Sequence, residues 1–113
     1  MDDTPTRLRI LAEGAKLTGG DRLKSYGSPV QNMDETAVLW AAYLRTRGFE
    51  IHLAGEDVAN MMALLKMARM GQTHKEDNYV DGAVYLAIAG ECSEAERSQA
   101  GTDGDGSGSQ DSP

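Results

Sequence analysis

The strongest constraint on the fold is an apolar segment between Gly55 and Gly71, which reads EDVANMMALLKMARM over residues 56–70. Ala, Leu and Met dominate this segment, and these residues favour helix over strand. Apolar side chains would occupy almost every side of the helix, which is typical of a helix buried against several neighbours. We therefore expect one central, mostly buried helix over about Glu56 to Met70.

Three further segments repeat apolar residues every three or four positions, as amphipathic helices do. They cover about residues 6–17, 32–46 and 77–92. Thr4 and Pro5 fit a cap and a first-turn residue for the first of these helices. Aromatic residues make up 5% of the chain, so little in the composition favours strands. The sequence predicts an all-α domain, a bundle of four main helices.

The last fifteen residues read QAGTDGDGSGSQDSP and contain no Lys, no Arg and no large apolar side chain. Such a segment buries too little surface to offset the entropy lost on ordering. We expect a single folded domain over residues 1–98, followed by a disordered acidic tail over residues 99–113.

The charge of the chain excludes some classes of partner. Its 113 residues include 11 Lys and Arg against 18 Asp and Glu, for a formal net charge of -7. Nucleic-acid binding depends on clustered basic residues, so nucleic acid is an unlikely partner. No apolar run approaches the roughly 20 residues that span a bilayer, and the acidic N-terminus does not fit a signal peptide. We expect a cytoplasmic protein with no membrane partner.

The third predicted helix also carries basic residues whose charges need partners if they are buried. A helical projection places Arg69 within the apolar face, which directs its guanidinium toward carboxylates inside the bundle. Asp77 and Asp81 lie four residues apart, on one face of the fourth helix. One interpretation is a structural ion-pair network that joins Lys66 and Arg69 to these two aspartates.

A second interpretation uses the same residues for chemistry. Mg²⁺ is a hard cation that is bound by carboxylate oxygens and by the phosphates of a substrate. Lysine and arginine side chains nearby would neutralise those phosphates. In this interpretation the metal ligands are Glu56, Asp57, Asp77 and Asp81, and the phosphate-binding residues are Lys66 and Arg69. The residue pattern leaves both interpretations open.

The predicted loop before the second helix, residues 20–30, also has two interpretations. In one, Arg22, Lys24 or Tyr26 contacts a phosphate or a base. In the other, the loop is a capped connection in which Gly27 turns the chain and Pro29 leads into the helix. The sequence supports these interpretations about equally.

Four elements together resemble a small family of phage and prophage proteins of uncharacterised function. The elements are R-x-x-x-Y-G-x-P-x-x-N (22–32), Trp40, E-D-V-x-x-M-M-x-L-L-K-x-A-R (56–69) and H-K-x-D-N-x-x-D-x-x-x-Y (74–85). The resemblance covers about residues 6 to 92. That family in turn resembles the all-α NTP pyrophosphatases, which are the MazG-like and dUTPase-like helical proteins.

In that superfamily a helix carrying E-E-x-x-E precedes one carrying E-x-x-D, and their carboxylates bind the Mg²⁺ that engages the triphosphate. The matching positions here are residues 56–60 and 78–81. Asn60 and Asn78 stand where the superfamily has Glu. Glu56, Asp57 and Asp81 remain in register, and Asp77 lies one residue before the second motif.

The resemblance therefore implies a MazG-like bundle, completed by assembly into a homo-oligomer, in a bacterial or phage-infected cell. It also implies hydrolysis of a nucleoside triphosphate to a monophosphate and pyrophosphate by a metal-activated water. The implied catalytic residues are Glu56, Asp57 and Asp81, and the implied substrate-binding residues are Arg22, Tyr26, Asn60, Lys66, Arg69 and Asn78. The alternative is a non-catalytic helical module that binds a nucleotide or a host or phage protein, because two ligand charges are missing.

Overall fold

The computed structural model describes residues 3–20, 27–72 and 74–103, with side chains as far as residue 99. Its regular structure there consists of four helices and no strand, which confirms the all-α prediction. The helices are α1 (Thr6–Thr18), α2 (Pro29–Thr46), α3 (Gly55–Met70) and α4 (Glu76–Asp103). None of these described helices is long and apolar enough to cross a membrane.

A side-chain cap explains where α2 begins, whereas α1 begins without one. The backbone N–H of Gln31 donates to Ser28 Oγ over 3.3 Å, and Pro29 occupies the first helical position. The helix α2 therefore begins earlier than its apolar pattern suggests. Proline suits the first helical turn because it has no backbone N–H, and the N–H groups of that turn have no acceptor within the helix. The prediction that Thr4 caps α1 is wrong, because Pro5 occupies the N-cap position and supplies no side-chain hydrogen bond there.

The helix α4 continues to Asp103, well beyond the end predicted near Cys92. The residues after Cys92 read SEAERSQA, and several of them are strong helix formers. Gly82 and Gly90 each cost only about 1 kcal/mol of helix propensity, which does not interrupt a helix that is packed along its length. Residues 99–103, predicted as the start of the tail, thus have helical backbone, while the boundary of the domain stays a prediction.

The helices α3 and α4 form the main contact of the bundle and run antiparallel. Lys66, near the end of α3, contacts Asp81 near the start of α4. Glu56, at the start of α3, lies beside Glu96 toward the end of α4. This register decides which polar residues of the two helices meet.

The helix α1 packs along α4 and runs parallel to it. The Arg9 guanidinium binds the Glu76 carboxylate over 2.9 Å, and farther along both helices Gly14 lies against Val84 and Val80. Among the described residues of α1, Gly14 alone is buried. The close approach of Gly14 and the ion pair between Arg9 and Glu76 therefore contribute to the packing of α1 against α4.

The buried core contains mainly small side chains. Its apolar members are Ala37, Val58, Ala59, Ala63, Val80, Ile88, Ala89 and Cys92. The prediction that α3 is buried on most sides is wrong for a single chain, because Met61, Leu64 and Leu65 are exposed. The helix contacts α2 and α4 on one side, and none of the other described helices covers the opposite side.

Gly55 and Gly90 offer a matched test of this packing. A Cβ atom on Gly55 would collide with the Asp34 carboxylate and lie 3.2 Å from Met33 Cβ, whereas one on Gly90 meets nothing within 4 Å. We expect Gly55→Ala to lower the free energy of unfolding by about 1–3 kcal/mol. Gly90→Ala should raise it by about 0.5–1 kcal/mol, because alanine favours a helix interior. Urea unfolding measures both, and stabilisation by Gly55→Ala would contradict the packing.

Candidate functional site

A pocket of about 350 Å³ lies where the end of α1, the start of α2 and the middle of α4 meet. Thr18 lines it from α1, and Asn32 lines it from α2. Asp81 and Tyr85, one helical turn apart, line it from α4. Apolar side chains from the same helices complete its wall. The pocket therefore combines an apolar lining with a few polar groups, as small-molecule sites do.

Two of the four elements that carry the family resemblance, the first and the last, meet at this pocket. Gly27, Pro29 and Asn32 come from the first of them, and Asp81 and Tyr85 come from the last. Residues 21–26 lie outside the described residues, so the roles predicted for Arg22, Lys24 and Tyr26 stay predictions. The described residues on both sides of that gap, Thr18 and Gly27, line the pocket.

Lys66 and Asp81 form the ion pair of this region. Lys66 Nζ lies 2.9 Å from Asp81 Oδ2, with side-chain exposures of 15% and 36% respectively. This pair is one link of the predicted network. A half-buried pair of this kind loses hydration, so its geometry must be good for it to be tolerated, and 2.9 Å is ideal for a charge-assisted hydrogen bond.

The other predicted links of the network are not formed in the described part of the chain. Arg69 is exposed, which corrects the expectation that it turns toward carboxylates inside the bundle. It lies in the last turn of α3, where residues 71 and 72 are exposed as well. Asp77 lines a second cavity, between α1 and the first turn of α4, together with Arg9 and Glu76.

The other predicted acidic residues lie at the opposite end of α3. Asp57 Oδ2 accepts a hydrogen bond from the Ala54 backbone N–H over 2.9 Å, so Asp57 caps the first turn of the helix. Ten residues separate Glu56 from Lys66, which corresponds to about 15 Å along a helix axis. Glu56 and Asp57 are therefore far from Asp81 and its pocket.

Asn60 and Asn78, which were expected to bind substrate, are also separated. Asn60 is half-buried on the second turn of α3, and Asn78 is buried in the first turn of α4, with 8% exposure. The structure thus divides the predicted site residues among the start of α3, the pocket and the second cavity.

The four predicted magnesium ligands do not come together within one chain. Mg²⁺ takes oxygen ligands in near-octahedral geometry, and water and substrate phosphates commonly supply some of them beside one or two carboxylates. In the part of the chain that the structure describes, no three His, Cys, Asp or Glu side chains are placed to hold a metal ion. Asp81 is paired with Lys66, Asp57 caps α3 and Asp77 lies in the second cavity.

Sequence reasoning missed two carboxylates beside the start of α3. Asp34 lies against Gly55, and the Glu96 carboxylate accepts a hydrogen bond from the Glu56 backbone N–H. The sequence did hold a signal for them, because Ala54 at the N-cap position of α3 has no side-chain acceptor for the free N–H groups of the first turn. Another element must therefore supply an acceptor. Glu96 supplies it from α4.

The surroundings of Glu96 raise the pKa of its carboxyl group. Partial loss of hydration is the largest cause, and the negative charge of Glu56 is the next; the bond from the Glu56 N–H opposes both. Asp34 and Asp57 add further repulsion. Burial raises the pKa of the nearby Cys92 thiol to about 11, and the negative charges of Asp34, Glu96, Glu91 and Glu56 contribute to the rise. A thiol with so high a pKa is a poor nucleophile, so Cys92 is a packing residue.

Comparison with known proteins places the chain in an uncharacterised family. Residues 9–93 match a family described as a domain of unknown function, DUF6378. The Gene 55 protein of Mycobacterium phage D29 is 39% identical over 77 residues, which are 67% of this chain and 48% of that protein. The Gene 55 protein of Mycobacterium phage L5 is 37% identical over 82 residues, which are 72% of this chain and 50% of that protein.

The chain thus spans about half the length of these curated relatives. No solved structure matches it. The expected membership of a small family with phage members is confirmed.

The raised pKa of Glu96 predicts a pH-dependent stability difference. A folded-state pKa above the ordinary value means that the stability contributed by the group is lost as pH rises through that range. Glu96→Gln removes the charge and keeps an oxygen that accepts from the Glu56 N–H. We expect the free energy of unfolding at pH 7 to rise by about 0.2–1 kcal/mol, given solvent screening, and the midpoint of thermal unfolding to rise with it.

This gain should vanish below pH 4.5, the ordinary value for the carboxyl group. Glu94→Gln, at an exposed position of the same helix, is the matched control and should show no such pH-dependent gain. A loss of stability in Glu96→Gln at pH 7 would contradict the electrostatics described.

Proposed function

The chain belongs to the DUF6378 family, and we propose that it is a helical module that binds a nucleotide without hydrolysing it. The observation that carries the proposal is the pocket, which gathers Gly27, Pro29, Asn32, Asp81 and Tyr85 from two distant segments of the sequence. The resemblance to all-α NTP pyrophosphatases supports a nucleotide as the ligand. The proposal ends at binding, because the predicted magnesium ligands Asp57, Asp77 and Asp81 lie apart in the described chain.

The dimensions and chemistry of the pocket suit the base and sugar of a nucleotide. Its volume of about 350 Å³ lies at the low end of the range for small-molecule sites, about 300–1,000 Å³. Tyr85 offers an aromatic face for a base. Asp81 is the one charged side chain among the described lining residues, so the phosphates would lie outside, where Arg22 is predicted to bind them.

We also propose that a second copy of the chain covers the exposed side of α3. Met61, Leu64 and Leu65 lie three and four residues apart, so they form one apolar stripe on that side. A stripe of this kind is self-complementary about a twofold axis, which is the commonest symmetry of homo-oligomers. The small core of the single chain and the resemblance to a superfamily of oligomers support the same conclusion.

Thr18 and Ala15 offer a matched test of nucleotide binding. Both are on the last turns of α1, but only Thr18 lines the pocket, and a tryptophan there would fill it. We expect nucleoside triphosphates to raise the unfolding midpoint of the wild type and of Ala15→Trp, but not of Thr18→Trp. A ligand at 100 times its Kd adds about 2.7 kcal/mol of stability.

The same samples, with and without Mg²⁺, are assayed for pyrophosphate. Release of pyrophosphate by the wild type would show that the protein is an enzyme, and would contradict the proposal of binding without hydrolysis. If none of ATP, CTP, GTP and UTP shifts the midpoint of thermal unfolding of the wild type, the proposed function is contradicted.

Leu64 and Leu11 provide the corresponding test of assembly. Leu64 is 59% exposed on the α3 stripe, and Leu11 is 60% exposed on α1. We expect Leu64→Lys to convert an oligomer into monomers, because it places a charge in the centre of the interface. Leu11→Lys should leave the assembly unchanged. Light scattering after gel filtration measures the mass, and a wild type that stays monomeric at all concentrations would contradict the proposal.

A further inference from the structure

We propose that the pocket selects a base with an exocyclic amino group, such as cytosine or adenine, over the matching base with a carbonyl group. Asp81 is the specificity-determining residue. The inference rests on the proposed function, because it assumes that a nucleotide base occupies the pocket, and it adds the feature by which that base is chosen.

The two carboxylate oxygens of Asp81 have different surroundings. Oδ2 is held by Lys66 Nζ at 2.9 Å. Within the described residues, Oδ1 accepts no hydrogen bond and no ion pair, while Asp81 itself lines the pocket. A carboxylate is an acceptor only. A ligand that displaces water from Oδ1 must therefore offer a donor, or an acceptor is left unsatisfied.

The pair with Lys66 occupies Oδ2 and leaves Oδ1 as the acceptor. The Lys66 side chain is only 15% exposed, and Lys66 is not among the described residues that line the pocket. Its charge balances that of Asp81, and a neutral donor is then sufficient to satisfy Oδ1. No other charged side chain is among the described residues that line the pocket, so none of these residues offers a cation to a phosphate group.

Cytosine and uracil differ in the exocyclic group, which is an amino group or a carbonyl group, and in the adjacent ring nitrogen, which carries a proton only in uracil. In the proposed contact the exocyclic group faces Oδ1. The amino group of cytosine donates to a carboxylate oxygen, whereas the carbonyl oxygen of uracil would face it as a second acceptor. Adenine and hypoxanthine form the equivalent purine pair. Sites built around a hydrogen bond discriminate strongly against a ligand that lacks it, because a buried polar group is left unpaired. We expect a preference of at least fivefold.

The experiment is titration calorimetry of the full chain with two matched pairs of nucleotides, CTP against UTP and ATP against ITP. The wild type should bind the amino member of a pair at least fivefold more tightly. Asp81→Asn should reduce that preference to twofold or less, because an amide can turn to present either a donor or an acceptor. Lys66→Met, the matched control, removes the ion pair but keeps the carboxylate, so the preference should persist.

Equal wild-type affinities within both pairs would overturn the inference while leaving nucleotide binding intact. A preference that survives Asp81→Asn, or that is lost in Lys66→Met, would overturn the role of the Asp81 carboxylate. Absence of binding by all four nucleotides would overturn the proposed function and the inference with it. The wild-type comparison decides the question even if a variant fails to fold.

Discussion

The antiparallel register of α3 against α4, in which Lys66 meets Asp81, is the constraint on which the rest of the site depends. Once these residues meet, antiparallel packing brings the start of α3 beside Glu96, about 15 Å from the pair. Asp81 then lines the pocket against α1 and α2, while Glu56 lies near Asp34 and the end of the bundle. This register thus keeps Glu56 and Asp57 away from Asp81, with which the predicted magnesium site grouped them.

The helical pattern predicted what depends on local spacing. All four helices were found, and the link between Lys66 and Asp81 followed from their positions on facing helices. The exposure of Arg69 and of the α3 stripe could not be predicted, because periodicity identifies an apolar face without identifying what covers it. The start of α2 at Pro29, after the cap at Ser28, was not predicted either, because a cap depends on backbone geometry as well as on residue type.

The candidate site was predictable in part. Asp81 was expected to be functional, and Tyr85 belonged to the motif that carries the resemblance; both line the pocket. Asp34 and Glu96 were missed because each meets α3 only through long-range packing that no local pattern encodes. Glu56 and Asp81 were grouped through the resemblance to a superfamily, and a motif match does not determine the register of an antiparallel pair of helices. Residues 21–26 remain a matter of prediction.

The most direct test of this account is to map the backbone amide chemical shifts of the protein during titration with CTP in the presence of Mg²⁺. The account predicts that the perturbed amides cluster around the pocket, at the end of α1, the start of α2 and residues 81–88 of α4. Perturbations concentrated at Glu56 and Asp57, and dependent on Mg²⁺, would contradict it. That result would show that the carboxylates at the start of α3 hold a metal-bound nucleotide instead.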